Sequence, residues 1–141
     1  MIVLDTTVLA YAAGGEHALR QPCRDLVTAA AAGLVRATTT VEVIQEFVHV
    51  HSRRRARPTA TALGESYVEV LRPLLVVSER TLRAGLTLFA QRERLGAFDS
   101  VLAAVALEQG ATLVSADRAF AEIGGLDLVV PDEAGVAGLL A

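Results

Sequence analysis

Short apolar runs alternate along the chain with longer stretches of helical periodicity. Ile2-Val3-Leu4 is continuous and stops at a polar residue, Asp5, as expected of a buried strand in a parallel sheet. The same kind of run recurs at Leu34-Val35-Arg36-Ala37, Leu74-Leu75-Val76-Val77, Thr112-Leu113-Val114 and Leu126-Asp127-Leu128-Val129-Val130, each followed by a helix-start signal. One helix is expected to begin near Thr6 or Thr7, and an Ala-rich one with Pro22 early in it over 17–32. Others are expected over 40–51, carrying Val43, Ile44, Phe47 and Val48, and over 59–72, carrying Leu63, Tyr67, Val70 and Leu71. Leu82, Leu86 and Phe89 recur at helical spacing over 79–94, Leu102, Val105 and Ala106 over 99–109, and a last short helix fits 132–140. Strands alternating with helices predict an α/β fold with a mostly parallel central sheet and helices on both faces. Ser52-Arg53-Arg54-Arg55-Ala56-Arg57-Pro58 interrupts the alternation as an exposed basic loop.

Composition supports this picture and narrows the chemistry. The chain has 141 residues, 52% of them apolar, which suits a single domain over 1–141 with a substantial core. No apolar run is long enough for a membrane span, and Asp5 follows the first run at once, so a soluble cytoplasmic protein without a signal peptide is expected. A single cysteine, Cys23, excludes an internal disulfide and a cysteine-based zinc cage, and reads as a small packing residue. The net charge of −3 argues against binding a polyanion through overall charge. All 13 basic residues are Arg, so chemistry that needs a lysine amine is ruled out.

In open parallel sheets ligands bind beyond the carboxyl ends of the strands, which directs attention to the acids placed there. Asp5 ends the first run, Asp117 follows the run at 112–114, and Asp99 opens the helix before that run. Each of the three also fits an ordinary helix or turn cap. Glu46 lies mid-helix between Ile44 and Phe47 with Val50 at i+4, so it is either solvated or held by a partner that offsets the cost of burying a charge. Glu42 fits a capping box with Thr39-Thr40. Gathered in one pocket, Asp5, Glu46, Asp99 and Asp117 would repel by about 4 kcal/mol per close pair at moderate dielectric. Such a cluster calls for a hard cation, Mg²⁺ or Mn²⁺, and suits phosphodiester hydrolysis.

The blocks Ile2-Val3-Leu4-Asp5-Thr6-Thr7-Val8-Leu9, Thr40-Val41-Glu42-Val43-Ile44-Gln45-Glu46-Phe47, Phe98-Asp99-Ser100-Val101-Leu102-Ala103-Ala104 and Leu113-Val114-Ser115-Ala116-Asp117-Arg118-Ala119-Phe120 resemble, in this order and spacing, the PIN-domain nucleases. The resemblance is to the VapC-type toxins of bacterial toxin-antitoxin pairs. It implies a three-layer PIN-like fold and an endoribonuclease using Mg²⁺ or Mn²⁺. It further implies a homodimer silenced by an antitoxin laid across the active-site groove. The family's acidic residues fall on Asp5, Glu46, Asp99 and Asp117, with Asp5, Asp99 and Asp117 as metal ligands. Thr6 and Ser115 fall where hydroxyls support the site.

Arg53, Arg54, Arg55 and Arg57 are candidates for gripping RNA phosphates, and equally for a solubilising loop or a contact with antitoxin or a second subunit. His49 and His51 are two apart on a helix and do not suit one metal, and His17 lacks partners in sequence. Arg94 or Arg118 could neutralise the acidic pocket. Two rival readings remain: a non-catalytic PIN-like RNA-binding or interaction module, and a haloacid-dehalogenase-like phosphatase suggested by Asp5-Thr6-Thr7-Val8. The second Asp that a phosphatase loop needs is replaced by Thr7, and its lysine is missing.

Overall fold

The computed structural model describes residues 1–141. Its elements run in the order β1 (Ile2–Leu4), α1 (Thr6–Ala13), α2 (Arg20–Ala31), β2 (Ala37–Thr38), α3 (Val41–His51), α4 (Arg57–Leu71), α5 (Glu79–Gln91) and α6 (Ala97–Gln109). There follow β3 (Thr112–Val114), a 3₁₀ turn at Arg118–Glu122, β4 (Leu128–Val129) and α7 (Glu133–Leu140). The four strands form one sheet in the order β2-β1-β3-β4, and every pairing is parallel. Ile2 and Val3 register with Ala37 and Thr38 on one side, and Ile2 to Leu4 with Thr112 to Val114 on the other. The order therefore reverses at β1. That makes the carboxyl end of β1 the place where connections diverge and a crevice opens.

β1 is buried along its whole length, which explains its unbroken apolar run. One core cluster joins it to Leu9 of α1, Leu26 of α2, Phe47 of α3, Leu71 of α4, Leu102 of α6 and Val136 of α7. Cys23 is in that cluster, and burial pushes its thiol up to about 12, so it is a packing residue and not a reactive one.

Four strands form where five were expected. Leu74 to Val77 runs extended but makes only one bridge, Leu75 beside Thr40, with the Leu75 amide donating to the Thr39 carbonyl. Val76 is 83% exposed, so the apolar run does not reflect a buried strand. The second strand sits at 37–38 and not at 34–37, and Leu34 lies in the turn before it, 79% exposed. The last strand is confined to 128–129.

The expected face of α5 is also reversed. Leu82, Leu86 and Phe89 are exposed, and the buried positions of the helix are Thr81 and Gly85. Gly85 sits so close to α6 that an added Cβ would lie 2.6 Å from the Val101 Cα. Backbone proximity, and not a leucine stripe, sets this helix pair.

Candidate active site

Asp5 is the first residue beyond β1 and the N-cap of α1, and its Oδ1 accepts from the Thr6 amide at 2.7 Å. Its Oδ2 accepts from the Thr7 hydroxyl at 2.8 Å and from the Ser115 hydroxyl at 2.6 Å. The carboxylate is almost fully buried, and three donors hold its orientation. Ser115, the residue after β3, also accepts from the Asp117 amide at 3.0 Å. Thr7 accepts from the Ala116 amide at 3.0 Å. The loop after β3 is thus tied to the start of α1, and Asp117 in that loop caps the 3₁₀ turn through the Ala119 amide at 2.9 Å.

α3 enters from the other side. The Thr39 hydroxyl, fully buried, donates to the Leu4 carbonyl at 2.6 Å and anchors the start of α3 to the end of β1. Thr40 is the N-cap, accepting from the Val43 amide at 3.2 Å. With this register Glu46 lies beside α1, where its Oε2 accepts from the Thr6 hydroxyl at 2.8 Å. Glu42 consequently falls at the second helical position, one short of the capping box, and makes no return bond to the cap. It lines the site instead.

Asp99, in the first turn of α6, completes the group. Its carboxyl is pushed up to about 7, first by burial and then by the charges of Asp5, Glu46 and Asp117. Asp5, Glu46 and Asp117, spread over more than a hundred positions of sequence, therefore all bear electrostatically on Asp99. A cavity of about 380 Å³ opens over them, with Asp5, Glu42, Glu46 and Asp99 on one wall. Its other wall is apolar, built from Leu82, Leu86, Phe98 and Val101. Asp117 stands outside the cavity lining and reaches the group through its charge on Asp99.

These residues suit a hard divalent cation by their chemistry: oxygen donors only, and an excess of negative charge that raises the Asp99 pKa. No three carboxylate, imidazole or thiolate groups close into a ready-made ligand cage.

The remaining candidates lie elsewhere or have other partners. Arg94 pairs with Glu122 at 2.8 Å and Arg118 is exposed without an ion pair, so neither neutralises the acids. His17 stacks on Tyr11 at 4.4 Å, His51 stacks on Phe47 at 5.1 Å, and His49 contacts the Arg53 guanidinium at 3.1 Å. Arg53, Arg54, Arg55 and Arg57 are exposed in the turn between α3 and α4 and at the start of α4. The residue that sequence reasoning passed over is Thr7. Its signal was the pair of hydroxyl residues directly after Asp5, only the first of which was singled out.

Comparison with known proteins identifies the family to which the fold belongs. The PIN domain model matches residues 2–126. Ribonuclease VapC7 of Mycobacterium tuberculosis (strain ATCC 25618 / H37Rv) is 56% identical over 142 residues, covering 99% of this chain and 98% of that protein. Among solved structures, VapBC2 of Rickettsia felis, bound to a DNA fragment from its promoter, has a TM-score of 0.71 at 20% identity, covering 91% of this chain and 97% of that one. VapC20 of Mycobacterium tuberculosis, a toxin that cleaves the sarcin-ricin loop, also has a TM-score of 0.71, at 18% identity, with 88% and 95% covered. FitAcB of Neisseria gonorrhoeae has 0.72 at 15% identity, with 93% and 98% covered. This membership removes the phosphatase reading of Asp5-Thr6-Thr7-Val8. With its parallel sheet reversing at β1 and its acids gathered at the carboxyl ends of β1 and β3, the chain belongs to the PIN-domain family, in its VapC-type branch.

Proposed function

We propose that the protein is a divalent-metal-dependent endoribonuclease and the toxin of a toxin-antitoxin pair. The observation that carries this reading is the convergence of Asp5, Glu46 and Asp99 on one cavity at the switch point of the sheet, with Asp117 close enough to act on Asp99. The name of the 56% identical relative supports RNA as the substrate.

Asp5, Asp99 and Asp117 would hold Mg²⁺, or alternatively Mn²⁺, with Glu46 beside them. A divalent ion held there would supply positive charge to a phosphodiester and make a water more acidic. The protein contributes orientation. Ser115, Thr7 and the Thr6 amide fix the orientation of Asp5, and the Thr6 hydroxyl holds Glu46 toward the same space. Asp99, buried and crowded by the charges of Asp5, Glu46 and Asp117, is the carboxyl that a cation would relieve most.

Arg53, Arg54, Arg55 and Arg57 supply a local concentration of positive charge for the RNA strand on a chain whose net charge is −3. The exposed Leu82, Leu86, Phe89 and Phe98 form apolar surface next to the site, and we assign it to a second subunit and to an antitoxin chain. No helix is long and apolar enough to cross a membrane, and we place the protein in the cytoplasm.

The test is cleavage of structured total RNA by the purified, antitoxin-free protein with Mg²⁺, with EDTA, and with Asp99→Asn in Mg²⁺. Discrete fragments that need the metal and vanish in the variant are expected. A folded protein that binds RNA but yields no fragments with Mg²⁺ or Mn²⁺ would overturn the proposal in favour of a non-catalytic binding module.

A further inference from the structure

The basic turn after α3 adjoins the acidic centre. A separate cavity of about 260 Å³ lies between the ends of α1 and α3, lined by Thr6, Ala13, Gly14, Val50, Arg54 and Arg55 among others. Thr6 belongs to both places, since it follows Asp5 and its hydroxyl holds Glu46. From Thr6 to Gly14 the helix climbs about 12 Å at its usual rise. None of the acids lines this cavity, but through Thr6 it adjoins the acidic centre and runs along α1 away from it.

The cations at its far end are available. The ion pairs of the protein are Arg72 with Glu69, Arg83 with Glu79 and Arg94 with Glu122, so the Arg54 and Arg55 guanidinium groups are free of carboxylates. Arg53 contacts His49 and does not line the cavity, and neither does Arg57. The four basic residues thus separate into two that face this cavity and two that do not. An acidic centre repels a polyanion, so the strand needs positive charge close by to be held there.

We propose that this cavity is a second nucleotide subsite, in which Arg54 and Arg55 hold a phosphate of single-stranded RNA other than the one being cut, with Ala13 and Val50 against its sugar or base. The guanidinium forks suit phosphate oxygens in paired fashion, which a lysine pair would not reproduce. The subsite fixes the register of the strand over Asp5, Glu46 and Asp99. This rests on the ribonuclease reading above, and the experiment separates the two.

The measurement is binding of a fluorescein-labelled, mixed-sequence single-stranded RNA oligonucleotide in EDTA over a salt series. It compares the wild type, the Arg54→Ala/Arg55→Ala double variant and the Arg53→Ala/Arg57→Ala double variant, all at surface positions. Loss of one phosphate contact is expected to lower the slope of log affinity against log salt by about 0.7 in the first variant, with smaller change in the second. An unchanged slope in the first variant, an equal fall in both, or no binding by the wild type would overturn the subsite. Wild-type cleavage of total RNA with Mg²⁺ is followed in parallel. Cleavage with an unchanged slope removes the subsite alone, whereas a slope that depends on Arg54 and Arg55 without cleavage removes the nuclease and keeps the subsite.

Discussion

The Ser115 hydroxyl donates to the Asp5 carboxylate at 2.6 Å, joining the ends of two adjacent parallel strands across 110 positions of sequence. The same oxygen accepts from the Asp117 amide, so one buried side chain sets both the first and the last acid of the site. Ser115→Ala is expected to destabilise the protein by about 1–3 kcal/mol, the cost of leaving buried groups unsatisfied. It should also weaken metal-dependent cleavage. Urea denaturation beside an RNA cleavage assay checks both, and a variant unchanged in each would show that the bond holds nothing.

Asp5→Asn and Asp99→Asn both remove a charge from the crowded site, but the structure separates their effects on stability. Asp5 accepts three hydrogen bonds, two of them on one oxygen, and an amide cannot accept them all. Asp5→Asn is therefore expected to lower stability as well as cleavage. Asp99 carries an elevated pKa and no such set of donors, so Asp99→Asn is expected to abolish cleavage and raise the melting temperature of the metal-free protein. Melting curves in EDTA distinguish the pair.

The Asp99 pKa also predicts a pH dependence. A carboxyl raised from 3.8 to about 7 on folding holds its proton in the native state where the unfolded chain has lost it. Between those values the native state binds more protons, so this group's contribution to stability falls as pH rises and its penalty is complete above about 7. Denaturant titrations of the metal-free protein at about pH 5 and about pH 8 should show that decline, and Asp99→Asn should flatten it. A wild-type profile parallel to that of the variant would contradict the shift.

Addition of Mg²⁺ works against the same repulsion. It is expected to stabilise the wild type by an amount that grows with ion concentration, about 2.7 kcal/mol at a hundredfold excess over Kd, and to do little for Asp99→Asn. Thermal melts with and without the ion measure this. Equal stabilisation of both would move the ion to another place on the surface.

Gly85→Ala tests the helix pair that carries Asp99. The added methyl would meet the backbone of Val101, which cannot swing aside, and should destabilise by about 1–3 kcal/mol. Unchanged denaturation would mean that α5 and α6 separate at little cost.

Much of the site was legible in the sequence because its parts are local. Asp5, Asp99 and Asp117 each follow or precede a short apolar run or open a helix, positions that pattern alone reveals, and the four blocks in order carried the family. The Leu74–Val77 run was misread because hydrophobicity reports burial and does not report hydrogen-bonding partners, and Val76 is exposed. The stripe Leu82, Leu86 and Phe89 has helical spacing yet is exposed, because apolar periodicity marks a face without saying what covers it.

The sequence by itself determined the alternation of strands and helices, the identity of the acids and the absence of lysine chemistry, since these depend on residues a few positions apart. The tertiary structure decided which acids influence one another, that Glu42 faces the cavity and does not cap its helix, and that only Arg54 and Arg55 among the four arginines of the turn line the second cavity. Those relationships depend on strand register and on helix contacts across dozens of residues, and Coulomb forces and hydrogen bonds act through space and not along the chain.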